Sequence, residues 1–411
     1  MRTEEAKNGD GMKKSIQHSI TGLFLFFFLF GQYRCLAVDR GIENPARIGR
    51  VQGFTLEDFY AENPRLDRIV DEIMLTLTNR ERISQLVVTS VGVKGRTPRQ
   101  VESLLGYTNL GGVLFLGNPR EEIERLTRTY TALAKQRYNL LPFFVIDGEP
   151  SLIHQRIIGA RPLPPAGRIE NEEECKEVAG EISQLLNELN IHINYAPVCD
   201  FDLNREVIGS RSFGNDEERV WGLAHAFIDT MQDNGIVATA KHFPGHGSIR
   251  GDTHLGAIVI DEPPPELMVF KRSIDAGVIS IMVGHVGIKG SPEHTGEMDT
   301  GGKPATISRN LVTGLLKERM RFRGLVVTDA MNMESVSHYK DPSLQAIRAG
   351  CDMVLMPEDE IEFTESLLDE ISNDLELYSQ VSESVRKIVR LKICLGLVHE
   401  SFYKGKNPFL S

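Results

Sequence analysis

The stretch Ile236-Val237-Ala238-Thr239-Ala240-Lys241-His242 joins a mostly apolar run to two ionisable side chains, and its pattern decides the fold because it recurs along the chain. Such a run is typical of a strand that is buried on both faces, as in a parallel sheet. Seven further runs of five or six residues share this composition, at residues 84–89, 111–116, 142–146, 193–198, 279–283, 324–328 and 352–356. The segments between them carry apolar residues at three- and four-residue spacing, which indicates amphipathic helices, for example at 121–134, 172–189, 217–234, 265–276 and 308–319.

The simplest fold for strands and helices that alternate in this way is the (β/α)8 barrel. We therefore predict an α/β chain with a single barrel domain over residues 50–400 and no second sandwich domain. The runner-up is an open doubly wound sheet, but residues 90–95 match its Gly-rich phosphate turn poorly. Ionisable residues follow five consecutive runs, at the strand ends where a barrel carries its active site: Asp147 and Glu149, Asp200 and Asp202, Lys241 and His242, His285, and Asp329.

Composition and charge limit the classes of partner. The 411 residues are 41% hydrophobic and 25% charged, which is close to the average of soluble globular proteins. A net charge of -11 argues against a nucleic-acid partner, which normally requires a basic surface. The cysteines beyond residue 37 lack CxxC spacing, so buried free thiols are favoured over a zinc site or a disulfide framework: Cys175, Cys199, Cys351 and Cys394.

The N-terminus has the features of an export signal. Lys13 and Lys14 precede the apolar run 20–30, and Ala37 is a small residue at a suitable cleavage point. We predict a signal peptide over residues 1–37, with Met12 as an alternative start, and a periplasmic or secreted protein. The apolar run is shorter than the ~20 residues of a membrane span. An uncleaved N-terminal membrane anchor is the alternative.

Residues 241–254 (KHFPGHGSIRGDTH) contain a lysine, three histidines, an aspartate and three glycines, and three kinds of site compete for them. A metal site would need His242 and His246 on one face of a helix, and Pro244 between them makes a helix implausible. A phosphate-binding loop would use glycine N–H groups and Lys241, but the GxxxxGK[ST] order is missing. The third alternative is an acid/base loop.

Three residues are candidates for acid/base and nucleophilic chemistry. In an extended segment Asp252 and His254 project to the same side, and a carboxylate beside an imidazole holds its tautomer and raises its pKa. The alternatives are a turn aspartate and a solvent-exposed histidine. Asp329 ends the run 324–328, so its carboxylate must be hydrogen-bonded or paired. It could cap the following helix or attack an anomeric carbon as a nucleophile.

Several segments together carry a family resemblance. Residues 241–254 match the signature K-H-F-P-G-H-G, four variable residues and D-S/T-H. Weaker matches are L-G-G-V at 110–113, N-Y-A-P-V at 194–198, G-S-R-S-F at 209–213, G-L-V-V-T-D at 324–329 and A-G-C-D-M at 349–353. Over about residues 79–396 the chain resembles the β-N-acetylglucosaminidases of glycoside hydrolase family 3.

This resemblance implies a retaining exo-glycosidase that removes terminal, non-reducing β-linked N-acetylglucosamine without a metal or an organic cofactor. Asp329 matches the nucleophile, His254 the acid/base and Asp252 its partner. The positions that bind the sugar hydroxyls are matched by Asp147, Arg156, Arg211, Lys241 and His242. The implied substrates are amino-sugar oligosaccharides or muropeptides derived from peptidoglycan or chitin, and no obligate protein partner is inferred.

The loop after the third run departs from the family pattern. The family reads D-x-E-G-G-x-V-x-R, whereas residues 147–156 read D-G-E-P-S-L-I-H-Q-R. Pro150 and Ser151 replace the glycine pair, and proline cannot take a positive φ. The backbone must therefore differ there, Arg156 comes one residue late, and we expect the shape of the sugar pocket to change.

Two alternatives to hydrolysis stay open. A neutral histidine–aspartate pair repels an incoming phosphate less than a carboxylate would, so phosphorolysis of the same substrates is possible chemically. The changed loop at 147–156 and the export signal also allow a non-catalytic saccharide-binding protein on the same barrel.

Overall fold

Eight parallel strands form the centre of the molecule. The structure, a computed structural model, describes residues 53–248, 256, 258–289, 298–399 and 402. The strands are β1 Val87–Gly92, β2 Gly112–Leu116, β3 Phe143–Ile146, β4 Ile193–Asn194, β5 Val237–Phe243, β6 Ser280–Val283, β7 Leu325–Thr328 and β8 Val354–Leu355. They are hydrogen-bonded in chain order, β8 also pairs with β1, and a parallel bridge from Val327 to Met353 joins β7 to the start of β8. The ring is therefore closed, and the predicted (β/α)8 barrel is confirmed.

Helices surround the barrel. One follows each strand: α1 Pro98–Tyr107, α2 Arg120–Lys135, α3 Glu172–Glu188, α4 Glu217–Asp233, α5 Leu267–Asp275, the π-helix α6 Asn310–Arg319, α7 Pro342–Ala349 and α8 Glu360–Ile371. Side chains cap several N-termini; Asn171 accepts a hydrogen bond from the Glu174 N–H, and Asp359 accepts from two N–H groups of α8. Helices Pro64–Thr76 and Asn79–Ser84 precede the barrel, and Leu375–Cys394 follows it.

The strands differ in extent from the predicted runs, and the first, the fourth and the fifth differ most. The first begins at Val87 because Thr78 and Glu81 form a capping box that starts a helix over Asn79–Ser84. The fourth ends at Asn194, shortly before Pro197, which has no N–H to donate to a ladder. The fifth continues to Phe243, so Lys241 and His242 belong to β5 itself.

Buried charges also lie at the amino-terminal end of the barrel, opposite the carboxyl ends of the strands. Asp352, which is fully buried, accepts hydrogen bonds from the Val326 N–H, from Ser384, and from Lys317 and Lys387.

The expected buried free thiols are confirmed, since the four cysteines of the described residues are all buried and unpaired. Among the helices of the described ranges, none is both long and apolar enough to cross a bilayer. The predicted signal peptide at 1–37 lies outside those ranges.

Candidate active site

A cavity opens at the carboxyl ends of β5, β6 and β7. Its empty volume is about 270 Å³, and it is lined by Val207, Arg211, His242, His246, Gly284, His285 and Asp329. The polar lining comes from three strand ends and from the short 3-10 turn Gly209–Arg211. The cavity therefore lies where sequence and fold together predict the active site.

Asp329 follows β7 directly and lines the cavity. Its backbone N–H donates to the Val283 carbonyl (2.8 Å), which fixes it to β6, and its Oδ1 accepts from the Ala330 N–H (2.8 Å). Burial alone would raise the pKa of Asp329, but the neighbouring His242 and His285 and the Ala330 hydrogen bond outweigh it and hold that pKa below its usual value. The carboxyl group is therefore ionised at neutral pH, as a nucleophile must be.

Lys241 lies at the centre of a buried group of charges beside the cavity. Its side chain is 2% exposed, and its ammonium group bonds to Asp147 Oδ1 and lies 2.6 Å from Glu149 Oε1. Asp147 Oδ2 also accepts from Arg156 Nη2 (2.7 Å) and Nε (3.2 Å). Burial opposes ionisation of Asp147, but Lys241 and Arg156 hold its pKa well below the usual range. Both carboxylates of the group are thus charged and paired.

Arg211 joins this group to the cavity. Its Nε and Nη2 donate to the two oxygens of Glu149, at 2.8 and 2.7 Å, which is a bidentate pair. Glu149 is 1% exposed, and Lys241 and Arg211 lower its pKa against the effect of burial. Of the five residues predicted to bind sugar hydroxyls, Arg211 and His242 line the cavity, whereas Asp147, Arg156 and Lys241 form the ion-pair group that reaches it through Arg211.

A second carboxylate–imidazole pair was not anticipated from the sequence. Asp200 Oδ2 lies 2.6 Å from His242 Nδ1 and accepts from the His242 N–H (3.1 Å), and Oδ1 accepts from the His246 N–H (2.7 Å). Burial opposes ionisation of Asp200, but His242 lowers its pKa, so an anion faces Nδ1. Nδ1 therefore carries the proton, and Nε2 is the ring nitrogen of His242 left for a ligand.

The segment after β5 is anchored by Glu266. Its Oε1 accepts from the Phe201 N–H (3.2 Å) and from the N–H and hydroxyl of Ser248 (2.8 and 2.9 Å). Gly247 lies against Phe201 so closely that a Cβ would be 1.9 Å from the Phe201 carbonyl oxygen. Burial, and then the charge of Asp200, raises the pKa of Glu266. The predicted acid/base residues Asp252 and His254 follow this segment but lie outside the described residues.

The divergent loop at 147–156 makes its own contacts. None of these residues takes a positive φ, as expected with Pro150 and Ser151 in place of glycines. The Ser151 hydroxyl donates to the Ser210 carbonyl (2.8 Å) and accepts from the Ala166 N–H (3.1 Å), so it ties this loop to the turn that carries Arg211. Within the described ranges, no group of three or more His, Cys, Asp or Glu side chains could hold a metal ion.

Sequence reasoning assigned no role to four residues of the site: Glu149, Asp200 and His285, which it noted only as ionisable residues at strand ends, and Glu266, which it did not note. Three of them follow strands, and that position is a signal. Their roles depend on partners that are distant in sequence, however, such as Arg211 for Glu149 or Ser248 for Glu266. Sequence spacing does not reveal such pairings.

Comparison with known proteins identifies the family of this chain. The family model described as the glycosyl hydrolase family 3 N-terminal domain matches residues 78–391. The beta-hexosaminidase of Tolumonas auensis is 31% identical over 268 residues, covering 61% of this chain and 77% of the relative. A beta-hexosaminidase of Vibrio cholerae is 30% identical over 265 residues, covering 62% and 77%.

Solved structures share the barrel. A family 3 beta-N-acetylglucosaminidase from Paenibacillus sp. superposes with a TM-score of 0.69 at 27% identity, covering 82% of this chain and 65% of that longer chain. A beta-glucoside phosphorylase has a TM-score of 0.72 at 21% identity, covering 81% and 62%, and at that identity it shows the fold alone. The residues matched, the barrel and the relatives agree, and this chain belongs to glycosyl hydrolase family 3 and is a glycosidase.

Proposed function

We propose that the protein is a retaining, exo-acting β-N-acetylhexosaminidase that hydrolyses terminal, non-reducing β-linked N-acetylglucosamine. The observation that carries the proposal is Asp329, an ionised carboxylate on the wall of a small cavity that also presents Arg211 and His242. The names of the similar beta-hexosaminidases support the same reaction.

The first step forms a covalent glycosyl-enzyme. A carboxylate oxygen of Asp329 bonds to the anomeric carbon while the bond from that carbon to the aglycone oxygen breaks. Oδ1 accepts the Ala330 hydrogen bond, so we assign the attack to Oδ2. His254, oriented by Asp252, gives its proton to the departing oxygen, and the aglycone leaves as a neutral alcohol.

The second step returns the enzyme to its starting state. His254 takes a proton from water, the water oxygen bonds to the anomeric carbon, and the ester bond to Asp329 breaks. Asp329 leaves as a carboxylate and His254 is protonated again. Two inversions at the same carbon retain the β-configuration, and N-acetylglucosamine is the product.

The remaining side chains would bind the sugar. Arg211 donates hydrogen bonds to its hydroxyl groups, and His242 presents Nε2 because Asp200 holds Nδ1. Lys241 and Arg156 keep Asp147, which the family resemblance assigns to a sugar hydroxyl, ionised and therefore able to accept a hydrogen bond. We propose that the substrates are amino-sugar oligosaccharides or muropeptides from peptidoglycan or chitin, and that the protein is exported to meet them.

An aryl N-acetyl-β-glucosaminide assay tests this function. We expect wild-type protein to release the aryl alcohol and Asp329→Asn to lower kcat by at least about 10³-fold, because the nucleophile is lost. Asp359→Asn is the matched control: Asp359 also follows a barrel strand, but it caps α8, and asparagine caps a helix equally well. Its activity should equal that of the wild type.

The same assay separates the alternatives. Release of the aryl alcohol at background rate by both wild type and Asp329→Asn would contradict the enzyme and favour a saccharide-binding protein. Product analysis with and without inorganic phosphate addresses phosphorolysis. N-acetylglucosamine as the main product in both conditions is expected, and a sugar 1-phosphate in the presence of phosphate would overturn hydrolysis.

A further inference from the structure

His285 lines the cavity beside Asp329, yet the family resemblance gives it no role. It lies two residues beyond the end of β6 and is 1% exposed. The preceding residue, Gly284, packs against His242: a Cβ added at position 284 would lie 3.1 Å from the His242 Cβ. The imidazole is therefore held in the wall of the site by its neighbours.

Both ring nitrogens of His285 have a protein partner. Nε2 lies 3.0 Å from the Ala330 carbonyl oxygen, and a carbonyl can only accept, so Nε2 carries a proton. Nδ1 lies 2.8 Å from the hydroxyl of Thr306, which can donate to it. A proton on Nε2 satisfies the contact with Ala330, and the Thr306 hydroxyl pairs with Nδ1, so the His285 ring is hydrogen-bonded to the protein backbone through Nε2.

The backbone residue that His285 holds is the one that orients Asp329. The Ala330 N–H donates to Asp329 Oδ1 at 2.8 Å. The Ala330 carbonyl accepts from His285 and from the Met333 N–H (3.2 Å). The N–H and the carbonyl of Ala330 are thus both hydrogen-bonded, so Ala330 is held on both sides of its Cα atom, and the His285 hydrogen bond helps to keep the N–H directed at Asp329.

We propose that His285 is a positioning residue for the nucleophile: it holds Ala330 so that the Ala330 N–H fixes the rotation of the Asp329 carboxylate. The proposal rests on the proposed function, in which Asp329 attacks the anomeric carbon. Attack requires the reacting atoms at roughly 3–3.5 Å with their orbitals aligned, and a misplacement of about 1 Å can cost on the order of 10²-fold in rate. Loss of the hydrogen bond should therefore slow the chemical step more than it weakens binding.

Three substitutions of His285 test this. His285→Gln places an amide N–H near the position of Nε2. His285→Asn has the same amide on a side chain that is too short to reach Ala330, and His285→Phe has an aromatic ring without nitrogens. With the aryl substrate we expect His285→Asn and His285→Phe to lower kcat by about 10²-fold with KM within about threefold of wild type. His285→Gln should recover at least about tenfold of the loss.

A buried histidine at the other end of the barrel is the control. His192 precedes β4, and its Nδ1 accepts from the Phe144 N–H. His192→Asn keeps an acceptor and should leave kcat unchanged. Thermal melts identify any variant that fails to fold; the comparison of His285→Gln with His285→Asn then decides the question, because both carry an amide in the same buried position.

Two results would overturn the inference: His285→Gln no better than His285→Asn, or a loss that appears in KM with kcat unchanged. The second result would make His285 a sugar-binding residue. Failure of the proposed function is distinguishable, since it would show as an inactive wild-type protein.

Discussion

Glu149 is the residue that brings two cations of the site together. It is almost fully buried, and its two oxygens take a bidentate hydrogen bond from Arg211 and an ion pair from Lys241. Neither cation can be moved without leaving a buried charge unpaired, which is costly. The orientation of Arg211 toward the cavity therefore depends on a carboxylate that does not line it.

Replacing this carboxylate should destabilise the fold strongly. In Glu149→Gln an amide N–H₂ faces Lys241 or Arg211, both of which can only donate, so we expect the free energy of unfolding to fall by about 3 kcal/mol or more. Glu370→Gln at the surface pair with Arg348 is the control and should cost at most about 1 kcal/mol. Urea unfolding of the two variants measures both. Equal losses would contradict the buried role.

At the scale of single elements, the segment after β5 is set by close backbone contact. Gly247 lies against the Phe201 backbone, and Ser248 is bonded to Glu266, so the segment leaves the barrel along a fixed path. Asp200 adds a third attachment through the His246 N–H. These contacts determine where the chain toward Asp252 and His254 begins.

A methyl group at position 247 should displace that path. In Gly247→Ala the new Cβ would overlap the Phe201 carbonyl, so we expect a loss of roughly 1–3 kcal/mol in stability and of at least about tenfold in kcat/KM for the aryl substrate. Gly180→Ala is the matched control, because Gly180 lies within α3 and its Cβ would meet no atom within 4 Å. It should raise stability by up to about 1 kcal/mol and leave activity unchanged. Full activity of Gly247→Ala would contradict a fixed path.

Over the whole molecule, stability should fall in acid in two stages. Burial, and then the charge of Lys392, lowers the pKa of His192 from its ordinary value of 6.5 to about 3. Between these values the unfolded chain binds a proton that the folded chain does not, so stability falls as pH falls through this window. Asp147 and Glu149 also have lowered pKa values, and their contribution is lost at lower pH, once the unfolded carboxyl groups begin to protonate.

The variant His192→Asn tests whether protonation of His192 causes the first stage of this loss of stability. One proton changes the free energy of unfolding by about 1.4 kcal/mol per pH unit, so the slope between pH 6 and pH 5 should be smaller in the variant by nearly that amount. Urea unfolding at pH 7, 6 and 5 measures the slope. An unchanged slope would show that His192 does not cause the first stage.

The sequence alone determined the architecture and the family of this protein. Buried parallel strands require continuous apolar runs, and eight such runs between amphipathic segments leave a barrel as the economical closure. The signature at 241–254 likewise fixed the family, because it is local in the chain. Strand ends were less predictable: Lys241 and His242 lie within β5 because hydrogen bonds to neighbouring strands, not composition, set where a strand stops.

Only the tertiary structure decided which charges meet. Glu149 and Arg211 are 62 residues apart, and His285 and Ala330 are 45 apart, so no local pattern could pair them. Their pairing follows from closure of the barrel, which brings the carboxyl ends of all strands to one face. Burial at that face then requires each polar group to find a partner, and those partners determine which groups are ionised and which way they point.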